Sequence, residues 1–330
     1  MNKIVLAALL AALASSARAQ GVVTLKLGTL APQGSTWHEL LRDMGQRWEQ
    51  ASGGQVKLRV YAGGAQGSEG DMVRKMGIGQ LQAAAISNVG MHDVLPEPQA
   101  MSVPFLFEDA AQMECAFEKV RPRIDAALEK RGLVAIQWSK IGAIHLFCDK
   151  PHRSPADMSD AKIWAWEGDP KSVEAFRAAG LKPVVLSSND VVPSLQTGMI
   201  DCVPNVPLYV LTARLYERAP NMMSLPWAYM IGATLVKKDA WEKIPADTRP
   251  KLLAIAKELG SKVDDEVKRL NDDAVVAMQK QGLKIVPGDA AAWRVAMEKT
   301  TPIIRGGVVP AEFYDQVRAA RDSCRAGASK

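Results

Sequence analysis

The chain has 330 residues, of which 48% are hydrophobic and 23% are charged, and its formal net charge is +5. This length suits two domains or one protein of two lobes. The mild, scattered charge argues against a nucleic-acid partner and against binding to a membrane surface. No low-complexity tract indicates disorder, so a folded globular protein is expected.

The first nineteen residues have the pattern of an export signal. Asn2 and Lys3 form a short positive region, residues 4–14 are apolar, and Ala17-Arg18-Ala19 precedes Gln20 as a small-x-small cleavage site. Cleavage is therefore expected after Ala19, with the mature chain in the periplasm. No later stretch contains 18 uncharged apolar residues, so direct insertion into the membrane is not expected.

Strands alternate with helices in the first half of the sequence. The predicted strands are Thr24–Gly28, Gln55–Tyr61, Leu81–Ile86 and Leu133–Trp138. The predicted helices are Ser35–Glu49, Asp71–Met76, one beginning at Glu108 or Asp109, and Pro122–Lys130. Such alternation at short spacings predicts an α/β fold with a largely parallel sheet.

The same pattern starts again at Gly142 and predicts a second lobe. Its strands are Ile144–Asp149, Ala161–Trp166, Lys182–Leu186 and Met199–Val203, and its helices are Lys171–Ala179 and Ser188–Thr197. We expect residues 20–141 with about 229–270 to form lobe I. Residues 142–228 with about 271–330 then form lobe II.

The longest predicted helix runs from Pro245 to Gln281. Apolar residues recur in it at steps of three or four: Leu252, Ile255, Leu259, Val263, Val267, Leu270, Ala274 and Met278. A helix of this length is about 50 Å long and would cross both lobes. The alternative is two helices that are broken at Gly260. A strand (Gly282–Pro287) and two helices (Ala290–Lys299 and Pro310–Arg321) are expected to close the chain.

The strand Ala161–Trp166 is the most informative element for function. It carries two indoles, Trp164 and Trp166, and it is followed by two carboxylates, Glu167 and Asp169, where a helix begins. Ligands of open α/β sheets bind at this edge, where strands end and helices begin. Alternation sends the two indoles to one face. The alternative for either indole is packing in the core.

Four cysteines are present: Cys115, Cys148, Cys202 and Cys324. Disulfides can form in an exported protein, and the sequence leaves all three full pairings open. One bridge or none is expected. No two cysteines have C-x₂₋₄-C spacing and the four histidines are scattered, so no metal site is predicted. The histidines are interpreted as surface or capping residues.

Nearly the whole chain after the export signal resembles the DctP-type solute receptors of TRAP transporters. The matching segments, in order, are Leu27–Trp37, Val103–Asp109, Ala156–Ile163, Leu195–Asp201 with Asn205, and Trp241–Pro245. The resemblance implies the two-lobed type II periplasmic binding protein fold, including a long lobe-spanning helix. It also implies closure around one small molecule, delivery to the TRAP permease subunits, and no cofactor.

The chain departs from that family at the residues that would hold a carboxylate. The family arginine that makes a bidentate pair with the ligand is replaced by Trp164, and a supporting arginine by Ile144. Leu30 lies near the position of a loop asparagine, and Ser87 or Asn88 near that of an acidic residue. We therefore expect a ligand that presents an apolar or aromatic face rather than a carboxylate clamped by arginine.

The predicted ligand site has apolar walls and few polar groups, as small-molecule sites usually do. Its candidate residues are Trp164, Trp166, Ile144, Leu30, Asn205, Ser87, Asn88, Glu69, Ser188, Glu167, Tyr209 and Trp227. Phe105 and Phe107 are further candidates for which core packing is favoured.

Three alternatives stay open. Glu167 and Asp169 with the indoles could hold an amine, although carboxylates are also favourable at a helix N-terminus for structural reasons. A carboxylate could be held by other contacts. The receptor could also serve a sensor or carrier instead of a permease. A secreted enzyme is not favoured, because the sequence contains neither G-x-S-x-G nor H-E-x-x-H.

Overall fold

The computed structural model describes residues 21–167 and 169–327, so the predicted export signal lies outside the described residues. The strands are β1 (Val23–Thr29), β2 (Val56–Tyr61), β3 (Ala83–Ser87), β4 (Leu133–Cys148), β5 (Lys162–Trp166), β6 (Lys182–Leu186), β7 (Cys202–Asn205), β8 (Asn221–Met223), β9 (Ala228–Lys237) and β10 (Lys284–Val286). The α-helices are α1 (Thr36–Ala51), α2 (Glu69–Gly77), α3 (Ala110–Lys130), α4 (Pro170–Ala178), α5 (Val191–Gln196), α6 (Pro207–Thr212), α7 (Lys238–Trp241), α8 (Arg249–Lys280), α9 (Ala290–Glu298), α10 (Thr301–Ile303) and α11 (Ala311–Gly327). None of these helices is both long and apolar enough to cross a lipid bilayer.

The strands form one path in the order β2-β1-β3-β9-β4-β7-β5-β6, while β8 pairs with β4 and β10 pairs with β8. In lobe I, β1 pairs in parallel with both β2 and β3, and β9 runs antiparallel to β3. In lobe II, β5 pairs in parallel with both β6 and β7. Each lobe therefore has the mixed α/β sheet that the sequence predicts, with a mainly parallel part and an antiparallel connection.

Two long strands join the lobes. The sequence predicts two separate strands near Leu133 and Ile144, but the structure contains one continuous strand, β4. It pairs antiparallel with β9 from Leu133 opposite Lys237 to Ile144 opposite Ala228. The register shifts twice, and the second shift, at Lys140, lies where β4 leaves lobe I. Such bulges bend and twist a strand, which lets one strand serve both lobes.

The predicted long helix is continuous. Residues from Leu252 to Val267 pack in a core of lobe I, and Met278 packs in a core of lobe II, so α8 contacts both lobes. Gly260 lies inside it, where a Cβ atom would come 2.6 Å from Nε2 of Gln137. The glycine is therefore explained by close packing of α8 against β4 rather than by a helix break.

One predicted break is wrong. The sequence predicts two helices that meet before Pro122, whereas α3 runs through this proline for 21 residues. The buried side chains of Phe117, Val120, Ile124 and Leu128 form one apolar stripe along it. Packing of that stripe on lobe I outweighs the hydrogen bond that proline cannot donate.

The disulfide prediction is also wrong, because the chain has two bridges rather than one or none. Cys115 of α3 pairs with Cys324 of α11, and Cys148 of β4 pairs with Cys202 of β7. The first bridge exists because α11 packs on lobe I, where Phe313 and Val317 join its core. The final helix thus packs on α3, whereas Trp293 of α9 packs in the same core as Ile163 and Cys202.

Asp264 lies where α8 crosses β4, and the pKa of its carboxyl group is raised. Burial is the main cause that raises the pKa of Asp264 to about 6, and the carboxylates of Glu114 and Asp265 add to it. Its Oδ1 accepts a hydrogen bond from the backbone N–H of Lys140 at 3.0 Å. The folded protein therefore keeps a proton that the unfolded chain loses near the ordinary value of 3.8.

Asp264→Asn should consequently stabilise the protein more at pH 7 than at pH 4. The wild-type free energy of unfolding contains a contribution from this group that falls as pH rises from about 4 to about 6, because the folded state binds more protons there. The asparagine keeps the acceptor oxygen and removes the buried charge. Urea unfolding at the two pH values measures the difference, and an equal effect at both would contradict this assignment.

Candidate functional site

The carboxyl ends of the lobe II strands meet at one edge, as the sequence predicts. Trp166 ends β5 opposite Leu186, the last residue of β6. Asn205 ends β7, which is parallel to β5, and lies opposite His145 of β4. Parallel strands bring their carboxyl ends to the same side of a sheet. Trp166 and Asn205 therefore belong to one edge of lobe II.

Trp166 contacts lobe I directly. Its ring is partly exposed and meets the ring of His92 edge-on, with the centroids 6.3 Å apart and the planes at 82°. His92 lies in the turn after β3, so the carboxyl edges of the two lobes face each other here. The Nδ1 atom of His92 is buried and has no hydrogen-bond partner among the described residues. Sequence reasoning missed His92, since an isolated histidine gives no signal of an interlobe contact.

Trp164 lies two residues before Trp166 in β5 and is fixed to the neighbouring strand. Its indole N–H donates to the carbonyl oxygen of Leu186 at 3.2 Å, and its half-buried ring packs against the lobe II core that contains Phe147 and Val203. The resemblance to the receptor family implies an arginine at this position, and here it is occupied by an indole that is hydrogen-bonded to the neighbouring strand. This arrangement offers no cation to a ligand.

Glu69 and Ser87 bind each other. The backbone N–H and the hydroxyl of Ser87 donate to the two carboxylate oxygens of Glu69, each at 2.7 Å. Burial raises the pKa of Glu69, against the opposing effect of these hydrogen bonds and of the Gly90 N–H. A Cβ atom on Gly90 would lie 2.4 Å from Glu69. The pair ties the start of α2 to the end of β3, so its polar atoms are largely engaged within lobe I.

Asn88 is a structural residue in this conformation. It is fully buried, and its Nδ2 donates to Gln99 at 3.2 Å and to Ser102 at 2.7 Å. Its Oδ1 accepts from the backbone N–H of Ile231 at 3.3 Å. All of its strong hydrogen-bonding positions therefore serve the lobe I core, and a buried amide of this kind is costly to disturb.

Three apolar candidates also pack in cores. Ile144 is 6% exposed and Trp227 is 3% exposed, both in the lobe II core, while Leu30 packs against the lobe I core. Trp227 lies among the rings of Phe105, Phe176 and Trp293, at centroid distances of 5.6, 5.7 and 5.2 Å. Phe107 is buried beside Tyr229. The core alternative thus holds for the phenylalanines, and the geometry favours it for Trp227.

Asp169 caps a helix. It is 5% exposed, its Oδ1 accepts from the backbone N–H of Ser172 at 3.0 Å, and its Oδ2 accepts from the Ser172 hydroxyl. It is the N-cap of α4, which satisfies one of the otherwise unpaired N–H groups there. Glu167, by contrast, is exposed. Helix capping therefore accounts for the position of Asp169, and no ligand is needed to explain it.

Asp169→Ala should therefore lower the free energy of unfolding by about 1 kcal/mol, the usual loss when an N-cap side chain is removed. Glu167→Ala, two residues away on the surface, is the matched control and should change it by less than about 0.5 kcal/mol. Urea denaturation of the two variants measures both values. Equal losses would mean that the cap contributes nothing specific.

Tyr209, Asn205 and Ser188 keep surface that a ligand can reach. The Tyr209 ring is 38% exposed, and burial of its hydroxyl raises the pKa of that group. Asn205 is half-buried, and its Oδ1 accepts from the backbone N–H of Val206 at 2.8 Å. Ser188 is half-buried in the turn after β6. Each follows or ends a lobe II strand, so each lies towards the edge that carries Trp166.

A groove of about 530 Å³ lies elsewhere, on lobe II between α5 and the turn after α6. Its lining residues are Val192, Leu195, Gln196, Ala213, Arg214, Leu215, Glu217 and Arg218. None of the predicted ligand residues lines it. A smaller cavity of about 40 Å³ between α4 and the segment after β3 has room for little more than one water molecule. We therefore assign the candidate site to the facing edges of the lobes and not to these cavities.

Comparison with known proteins agrees with this architecture. The family described as "Bacterial extracellular solute-binding protein, family 7" matches residues 27–304. A solute-binding protein of Roseobacter denitrificans is 25% identical over 253 residues, which cover 74% of this chain and 76% of that protein.

Solved structures share the fold. A TRAP periplasmic solute-binding protein of Xanthobacter autotrophicus, with bound β-D-galacturonate, gives a TM-score of 0.83 at 19% identity and covers 90% of this chain and 99% of that one. One from Desulfovibrio salexigens, with bound orotic acid, also gives 0.83, at 18% identity, covering 92% of this chain and 99% of that one. The two-lobed α/β fold is thus common to all three chains.

Proposed function

Because the chain belongs to the family 7 bacterial extracellular solute-binding proteins, the DctP-type receptors of TRAP transporters, we propose that it captures one small molecule between its lobes in the periplasm and delivers it to the permease subunits. The contact between Trp166 and His92 supports this assignment, since it brings the two strand edges together. Two strands and one long helix connect the lobes, which suits closure about a hinge.

The proposed ligand presents an apolar or aromatic face to Trp166. A tryptophan ring offers a large flat surface for stacking, and Trp166 is the partly exposed indole at the edge. Trp164 would hold that edge in place through its bond to Leu186. The single observation that carries this proposal is the indole at position 164, where the resemblance to the family implies an arginine.

A few polar groups would orient the ligand. Asn205, Ser188 and Tyr209 have half-buried or exposed side chains on the same side of lobe II. Four other candidates would act indirectly, because they pack in the cores and so determine the shape of the lobes: Ile144, Leu30, Asn88 and Trp227. Glu69 with Ser87 would fix the facing edge of lobe I.

The structural neighbours define the main competing ligand class. The protein of Xanthobacter autotrophicus holds galacturonate, an aliphatic carboxylate, whereas that of Desulfovibrio salexigens holds orotic acid, a planar ring that also carries a carboxyl group. Orotic acid shows that this fold accepts a flat ring. The competing hypothesis is that a carboxylate binds here through backbone N–H groups and hydroxyls.

An amine ligand is the weaker alternative. Asp169 has both oxygens engaged by Ser172, so only Glu167 could face a cation. If amines raise the melting temperature, Glu167→Gln should remove the effect. An unchanged amine affinity in that variant would end this alternative.

A thermal-unfolding screen tests the ligand class. The compounds fall into four sets: aromatic acids, neutral aromatics, aliphatic acids and neutral aliphatics. We expect the compounds that raise the melting temperature to come from both aromatic sets, because the ring and not the carboxylate supplies the contact. Hits confined to aliphatic acids would contradict the proposal.

A further inference from the structure

The Cys148–Cys202 bridge has a histidine beside it. The two sulfur atoms and a ring nitrogen of His152 lie within 4.8 Å of one another, and all three residues are buried. Cys148 ends β4, Cys202 begins β7, and the two residues are directly paired across the strands. His152 follows in the loop after β4. The fold thus brings together ligand types that have no recognisable spacing in the sequence.

The other ring nitrogen of His152 has a backbone partner. Nδ1 lies 2.9 Å from the carbonyl oxygen of Asp157. A carbonyl oxygen only accepts, so Nδ1 is the donor in this contact, and the neutral imidazole that a metal ion binds has its lone pair on Nε2. Nε2 is buried and has no hydrogen-bond partner among the described residues, in a side chain that is 9% exposed. Buried polar atoms are rarely left without a partner, so this lone pair calls for an explanation.

We propose that reduction of the Cys148–Cys202 bridge creates a binding site for a thiophilic cation of the Zn²⁺ class, with two thiolates and the His152 imidazole as ligands. Zinc binds sulfur at about 2.3 Å and imidazole nitrogen at about 2.0 Å, usually with four ligands in a tetrahedron. A hydrogen bond from the other ring nitrogen to a backbone carbonyl is the arrangement that orients most metal-bound histidines. The fourth position is left for a water molecule.

The chemistry balances with a dithiol reductant. A thiolate of the reductant attacks one sulfur of the bridge, and its second thiol completes the exchange, so the reductant is oxidised to its own disulfide. Cys148 and Cys202 are left as thiols. Binding of the cation then releases the two thiol protons, while neutral His152 coordinates without losing one.

This site is separate from the ligand edge of lobe II. Cys202 begins β7, whereas Asn205 ends it, and Cys148 lies beyond His145 in the direction away from that edge. The inference therefore stands independently of the proposed ligand class. The second bridge, Cys115–Cys324, is the internal control for reduction elsewhere in the chain.

Cobalt uptake tests the proposal. The protein is reduced under nitrogen with a phosphine, which water converts to the phosphine oxide as the bridge becomes two thiols, and it is then titrated with Co²⁺, whose thiolate charge-transfer and d–d absorption bands report the ligands. We expect one equivalent to bind to the reduced protein and none to the oxidised protein. His152→Ala should weaken binding at least tenfold, because it removes one of the three protein ligands. The Cys115→Ser/Cys324→Ser double variant should bind Co²⁺ as the wild type does.

Thermal unfolding provides a second measurement. Zn²⁺ should raise the melting temperature of the reduced wild type and leave that of reduced His152→Ala unchanged. The proposal is wrong if the reduced wild type takes up no Co²⁺, or if uptake is unaffected in His152→Ala. It is also wrong if uptake depends on Cys115 and Cys324, or if reduced protein stays unfolded with the cation present.

Discussion

Trp166→Ala should weaken binding of the natural ligand by about 2–4 kcal/mol, the range measured for aromatic anchors at the centre of binding sites. The indole is partly exposed and meets the ring of His92 in lobe I edge-on, so its removal should cost binding more than folding. Isothermal titration with the ligand recovered from the protein measures the change. Trp166→Phe should restore part of the affinity because it keeps a flat apolar face.

Trp138→Ala is the matched control. Trp138 is a half-buried indole of lobe I that donates to Asp125 at 2.8 Å and packs edge-on against Phe117. Its loss should destabilise the fold and leave the ligand affinity unchanged. If Trp138→Ala and Trp166→Ala weakened binding equally, the effect would come from stability, and Trp166 would not be an anchor.

Trp227→Ala should lower the free energy of unfolding by about 3–5 kcal/mol, as expected for a large buried aromatic residue replaced by alanine. The side chain is 3% exposed, and its backbone N–H donates to the carbonyl oxygen of Ile144 at 2.7 Å. The carbonyl oxygen of Trp227 accepts from Phe105 at 2.9 Å. The lost ring would leave a cavity between Phe176 and Trp293.

Trp227→Phe separates a core role from a ligand role. The phenylalanine ring fills most of the cavity, so the ligand affinity should stay within about twofold of the wild type. A tenfold loss would correspond to a change of about 1.4 kcal/mol in the binding free energy. Urea unfolding gives the stability, and titration gives the affinity. A tenfold loss of affinity in a stable Trp227→Phe protein would return Trp227 to the ligand site.

The main elements of the fold can be predicted from periodicity. The apolar repeat of α8 is long enough to indicate a helix across two lobes, and the structure confirms it. Local signals fail where tertiary packing overrides them. Pro122 predicts a helix boundary that the buried stripe of α3 removes. In the sequence, Gly260 leaves a break in the long helix possible. In the structure, the close approach of the Gln137 side chain explains why this position is a glycine.

The sequence predicts the candidate site only to the level of a strand edge. The sequence identifies the end of β5, because a short apolar strand followed by a helix start is a strong pattern. It does not reveal which side chains face the cleft. From the sequence, Asn88 is expected at a strand edge. In the structure its side chain donates hydrogen bonds to Gln99 and Ser102, which come later in the chain. His92 gives no local signal, since its importance comes entirely from the opposite lobe.

The cysteine pairs illustrate the same limit. Cys115 and Cys324 are 209 residues apart, and they meet only because the last helix returns to lobe I. Cys148 and Cys202 meet because β4 and β7 pair in one particular register. Neither fact is contained in the spacing of the cysteines.

Identification of the molecule that co-purifies with the protein tests the central claim most directly. Native mass spectrometry of the freshly purified chain gives the mass of the bound molecule, and extraction followed by fragmentation gives its structure. We predict a molecule with an apolar or aromatic face that stacks on Trp166. A small aliphatic carboxylate would contradict this claim, because it would require an anion site that replaces the arginine absent at position 164.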